Sequence, residues 1–156
     1  MSVRISATCN GYNVYSAAEC IAEFNQLRSG PAAIRPKFMI WKISDDNQDI
    51  LVEKISTEED YETFVHKLWE TTDNDGNPAP RYAIYDMEYH FGREGKRNTT
   101  LFVCWRNRHA PFKQNLRYLG RMQFHGVDPS VLVVEADRIQ DLDWDYLLTE
   151  ASGDQE

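Results

Sequence analysis

Apolar positions recur at helical spacing in four stretches of this chain, and alternate or run together in five others. Ser16-Ala-Ala-Glu19 has capping-box form, and Cys20, Ile21, Phe24 and Leu27 follow on one helical face. Gly30, Pro31 and Pro36 end that helix. Phe38-Met-Ile-Trp-Lys-Ile43 and Ile50-Leu-Val-Glu-Lys-Ile55 flank a polar turn at residues 45–49 and predict a hairpin. Ser56-Thr-Glu-Glu59 repeats the capping box before a helix whose Tyr61, Phe64, Val65, Leu68 and Trp69 share a face. Thr72 to Pro80 is a loop rich in Asp, Asn, Gly and Pro.

Arg81 to Phe91 and Thr99 to Trp105 predict two long strands, joined by a Gly92–Arg97 hairpin loop with exposed cations. Ala110-Pro111 opens a third helix with a sparse stripe of Leu116, Leu119 and Met122, stopped by Gly126 and Pro129. Val131–Val134 is a short buried strand. Asp143–Ala151 is a terminal helix with Trp144, Leu147 and Leu148 facing in. Helices interleaved with strands in this order predict an α/β or α+β domain, a mixed sheet flanked by helices on both faces. The expected boundaries are an arm at 1–15, one domain at 16–152 and a tail at 153–156.

The chain has 156 residues and a net charge of −8, but the charge is unevenly spread. Residues 1–95 carry 9 basic and 16 acidic groups, and residues 122–156 carry Arg138 against nine acids. Between them, residues 96–121 hold Lys96, Arg97, Arg106, Arg108, Lys113, Arg117 and Arg121 and no acid. This stretch reads as a docking surface for an acidic protein or an anionic lipid head group. An acidic chain repels phosphate elsewhere on its surface, which argues against a nucleic-acid partner. Cys9, Cys20 and Cys104 form no ligand-like cluster, and Met1 to Gly11 lacks a signal peptide's apolar run. The expected compartment is the cytosol, with nuclear access.

Motifs for catalysis are missing. There is no Walker loop, HExxH, GxSxG or dinucleotide fingerprint, and the histidines at 66, 90, 109 and 125 are scattered. Cys104 lies in a strand pattern and reads as a core thiol. Asp141, Asp143 and Asp145 have the spacing of a calcium loop without its glycine and terminal Glu. No enzyme activity, metal or cofactor is expected.

Several strings resemble the actin-depolymerising factor/cofilin family: Glu19-Cys-Ile-Ala-Glu-Phe24, Arg81-Tyr-Ala-Ile-Tyr-Asp86, Glu94-Gly-Lys-Arg97 with Leu101 to Trp105, Ala110-Pro111 with Lys113, and Leu142-Asp-Trp-Asp-Tyr146. The resemblance covers about residues 10–152. It implies an ADF-homology (gelsolin-like) fold with a five- or six-stranded mixed sheet, no catalysis, and binding of actin monomers and filaments by a monomeric, cytoskeletal protein. Carried over by position, Gly11 matches the arm glycine, Lys96 and Arg97 the filament-side hairpin, and Lys113 the first basic residue of the monomer-binding helix. Leu116, Arg117, Arg121 and Met122 extend that helix face, and phosphoinositide head groups are a further expected ligand of the basic stretch.

The chain departs from the family at Asn10, which replaces a regulatory serine, with Ser6 off the motif. It departs again at Trp105-Arg-Asn-Arg-His109, at Asn115, at Leu119-Gly-Arg-Met122 and at Thr149-Glu150. The alternative reading is a glia maturation factor-like domain that binds the actin-related branching complex.

Overall fold

The computed structural model describes residues 3–4, 16–46 and 49–153. Among them, four α-helices flank a six-stranded sheet: β1 (Val3–Arg4), α1 (Ala17–Arg28), β2 (Phe38–Ile43), β3 (Ile50–Ser56), α2 (Tyr61–Trp69), β4 (Arg81–His90), β5 (Lys96–Trp105), α3 (Phe112–Arg121), β6 (Leu132–Ala136) and α4 (Trp144–Ser152). The strand order is β1-β3-β2-β4-β5-β6. Neighbours are antiparallel except β5 and β6, which run parallel. A parallel pair needs a crossover, and α3 supplies it. The sheet is therefore mixed, as the element order predicts, and its two-residue β1 makes the sixth strand.

Period-two alternation distributes the core over both faces of the sheet. Met39, Trp41, Ile43, Tyr82, Ile84, Phe102 and Cys104 pack against Ala17, Cys20, Ile21 and Phe24 of α1 and Tyr118 of α3. The intervening residues Phe38, Ile40, Ala83, Tyr85, Met87, Leu101, Val103 and Trp105 pack against α2 and Leu147 of α4. On that side Phe38, Tyr61, Phe64 and Tyr85 form an aromatic cluster with ring centroids 4.9 to 6.4 Å apart. Each such pair contributes about 0.5–1.5 kcal/mol beyond its area. Burial pushes the Cys104 thiol up to about 12 and raises Cys20 as well, so both are protonated core groups.

Ser16 caps α1 as the sequence predicts: its Oγ accepts from the Glu19 amide and the Glu19 carboxylate accepts from the Ser16 amide, both at 3.2 Å. Ser16→Ala is expected to cost about 1 kcal/mol in urea unfolding. Leu27, expected in the core, lies at the surface instead.

The second capping box does not act as one. Ser56 ends β3 opposite Phe38, and its carbonyl accepts from the Lys37 amide at 2.7 Å. Asp60 caps α2 instead, accepting from the Thr63 amide at 3.2 Å. Trp69 is partly exposed rather than facing in, and its ring lies 6.2 Å from that of His109. β5 begins at Lys96, so Lys96 and Arg97 are strand residues opposite His90 and Tyr89 rather than loop residues. The turn between the strands is short because Gly92 and Gly95 take positive φ of 53° and 85°.

α3 ends at Arg121, before Gly126. Met122 turns to extended backbone, and its neighbour Gln123 bridges Ser16 and accepts from the Ala17 amide at 2.7 Å. This ties the C-terminus of α3 to the start of α1.

Candidate functional site

α3 is amphipathic, and its outward face is mixed. Tyr118 anchors the inner side: its hydroxyl accepts from the Ile43 amide at 2.8 Å, and its carbonyl accepts from the Tyr82 hydroxyl at 2.5 Å. Burial raises the pKa of both phenols, which keeps them protonated. The outer side carries Phe112, 74% exposed, and Leu116, 49% exposed, one helical turn apart. Lys113 and Arg117 form a parallel exposed stripe beside them. At 3.6 residues per turn, each spacing of four offsets a side chain by about 40°, so Arg121 continues the same side, half-buried.

Met122 does not join this face. It is only 5% exposed and packs in the α1–α3 core, where the chain leaves the helix, which corrects the expectation that it adds apolar contact outside. Leu119 also packs against that core. Phe112 takes the outward place, and the stripe expected from sequence, which began at Leu116, omits it. The usable signal is its position four residues before Leu116, directly after Pro111.

A 230 Å³ cleft opens along one side of α3, lined by Gln114, Arg117 and Tyr118 and by Asp45, Asp73 and Asp75 opposite. Asp73 braces the helix by accepting from the Gln114 side chain at 2.9 Å. That bond and those from the Asn77 and Asp75 amides hold its carboxyl below the usual carboxylate range. A depressed carboxylate stabilises the folded contact above its unfolded pKa and loses that contribution as pH falls through the folded value. The protection of the amides in the first turns of α3, measured relative to their intrinsic exchange, is therefore expected to fall below about pH 4.

The acid-free stretch does not form one patch. Lys96 and Arg97 begin β5 and α3 follows its far end, roughly 30 Å away for a ten-residue strand. The hairpin cations are also partly neutralised. Lys96 Nζ lies 3.8 Å from Glu88, while Arg97 pairs with Glu94 and stacks 4.3 Å over the Phe91 ring. Arg106 sits 3.8 Å from Glu135. Among the described residues, Lys113 and Arg117 have no carboxylate within ion-pair distance. Gly11, together with Asn10 and Ser6, lies outside the described residues.

Midway along β4, Asp86 is buried and multiply paired. Arg28 of α1 approaches at 3.0 Å and Lys37 at 3.5 Å, and the Asn98 amide donates to both oxygens at 3.1 Å. This network joins α1, β4 and β5 to Lys37, the residue that leads into β2.

The family model for cofilin/tropomyosin-type actin-binding proteins matches residues 13–152. This chain belongs to the cofilin family. Cofilin from Schizosaccharomyces pombe is 36% identical over 100 residues, a match covering 64% of this chain and 65% of that protein. Cofilin from Gibberella zeae is 28% identical over 141 residues, covering 86% and 90%. With several yeast cofilins, as with that of S. pombe, the matched stretch spans just under two thirds of the relative's length. Among solved structures, Streptomyces griseoflavus cofilin superposes with a TM-score of 0.60 at 26% identity, covering 87% of this chain and 95% of that one. The ADF/cofilin of Trypanosoma brucei, at 19% identity and a TM-score of 0.55, covers 92% and 98% and supports the cofilin-type fold.

Proposed function

We propose that this cofilin-family chain binds actin monomers through the outer face of α3 and promotes actin turnover in the cytoplasmic cytoskeleton. The observation that carries the reading is the Phe112–Leu116 pair, exposed in solvent and flanked by Lys113 and Arg117, which have no carboxylate partner among the described residues. Apolar groups at the centre of an interface with cations beside them suit an acidic protein surface: burial supplies affinity and charge supplies orientation and on-rate. Phosphoinositide head groups are a competing ligand for the same cations, tested by vesicles with and without phosphoinositide.

Filament contact through Lys96 and Arg97 is the weaker arm, because both cations already have carboxylate neighbours and α4 presents acids rather than bases. Lys96→Ala with Arg97→Ala is expected to leave stability within about 0.5 kcal/mol of the parent and to reduce filament co-sedimentation. Equal filament affinity would remove the hairpin from the site.

The deciding experiment combines fluorescence of labelled actin monomers with filament co-sedimentation. Saturable monomer binding supports the proposal, and no effect on either at tens of micromolar overturns it. Phe112→Ala is expected to weaken monomer binding severalfold without destabilising the fold, since the ring is exposed. Accelerated debranching without monomer binding would transfer the chain to the branching-complex reading.

A further inference from the structure

The sheet ends at β6, and the free side of that strand borders a groove. In the parallel ladder the Ala136 carbonyl accepts from the Arg106 amide at 2.8 Å, so the backbone groups of Ala136 face β5. Strand alternation turns Leu132 and Val134 the same way and aims the amides and carbonyls of Val133 and Glu135 at the open edge. No further strand lies beyond them among the described residues. The edge also lacks the usual protection, since β6 contains neither lysine nor proline.

A groove of about 440 Å³ runs between this edge and α4. Val133 and Tyr146, 39% and 57% exposed, supply its apolar surface, and Glu135, Asp141 and Glu150 line it without a single cation. Arg106 and Arg138 approach two of these carboxylates at 3.8 and 3.2 Å, and Glu150 has no such neighbour among the described residues. The surrounding residues 122–156 carry nine acids and one arginine.

We propose that the β6 edge is a second docking site, which takes an extended peptide bearing lysine or arginine as a seventh strand. Backbone bonding to Val133 and Glu135 would supply the register. Strand alternation would put all its cations on one face, where they meet Glu135 beside Val133, and all its apolar side chains on the other, where they cover Tyr146 of α4. The same charges disfavour a second copy of this chain, because edge-to-edge pairing would bring acid against acid. The site lies on α4 and β6, away from the α3 face, and does not depend on the actin reading.

The test uses a nine-residue, end-blocked peptide alternating lysine and valine, with a glutamate–valine counterpart as control, titrated into the full chain and followed by NMR. The expected result is saturable shifts confined to β6 and α4, at least tenfold slower exchange of the Val133 and Glu135 amides, and weakening with salt. Val133→Pro removes an edge amide and should abolish binding. Val133→Lys keeps the backbone and should weaken binding at least tenfold by repelling the peptide, so the test survives if the proline variant does not fold. Equal binding of the glutamate–valine peptide, full affinity in a folded Val133 variant, or absence of binding would overturn the proposal. So would a dimer of the peptide-free chain that Val133→Lys dissociates.

Discussion

Replacing Lys113 and Arg117 together by glutamate is expected to weaken binding of actin monomers at least tenfold, about 1.4 kcal/mol. Both side chains are exposed, share one side of α3 and have no carboxylate partner among the described residues, so their field is available to an incoming acidic surface. Lys113→Glu does not threaten the fold, whereas glutamate at 117 faces Asp45, Asp73 and Asp75 across the cleft, so urea unfolding of the variant accompanies the binding measurement. Lys113 lies in the first turn of the helix, where a negative side chain interacts favourably with the helix dipole by about 0.3–1 kcal/mol. Loss of binding in a variant that keeps the parent's unfolding transition therefore reports the interface. Raising salt from about 50 to 200 mM should weaken the parent more than the variant, because screening acts on the charges that were removed. A folded variant with parental affinity would move the monomer site off α3.

Asp86→Ala should be the most damaging single change outside the aromatic core. Its carboxylate is surrounded by Arg28, Lys37 and Asn98 and is largely removed from solvent. Truncation leaves Lys37, itself buried, without its nearest counter-charge, and Glu88 at 4.0 Å is a poor substitute. Breaking one partner of a buried pair typically costs about 3–5 kcal/mol. In a chain of this size, 3 kcal/mol corresponds to a fall in thermal midpoint of about 6–12 °C. Lys96→Ala is the comparison: its contact with Glu88 is at the surface and should contribute little. A fall of less than about 1 kcal/mol for Asp86→Ala in urea unfolding would show that solvent reaches the network.

Most of the fold could be read from local pattern. The strands at Phe38–Ile43 and Arg81–His90 are apolar on both faces, and such runs, broken by turn residues, announce a sheet covered on both sides. What escaped was decided by competition between neighbours. Ser56 satisfies a capping motif, yet its backbone is engaged in β3 and Asp60 takes the role. Met122 fits a helical stripe, yet the helix has ended, and the bridge from Gln123 to Ser16, more than 100 positions earlier, is invisible to local periodicity. The acid-free stretch was equally plain in one dimension, but β5 forms its first ten residues and carries Lys96 and Arg97 away from α3. At the α3 face Lys113, Leu116 and Arg117 were accessible to helical spacing alone, whereas the outward place of Phe112 depended on where the helix begins.

The division of the core between two faces equips the molecule with separate optical reporters. Trp41 is sealed on the side shared by α1 and α3, while Trp105 is sealed on the side of α2 and α4, with Trp69 6.4 Å away and Trp144 packed against the same cluster. A version keeping Trp41 as its sole indole would respond to events at α3 and ignore the β6 edge. One keeping Trp144 would do the reverse, so occupancy of the two surfaces could be followed independently in a single unlabelled sample.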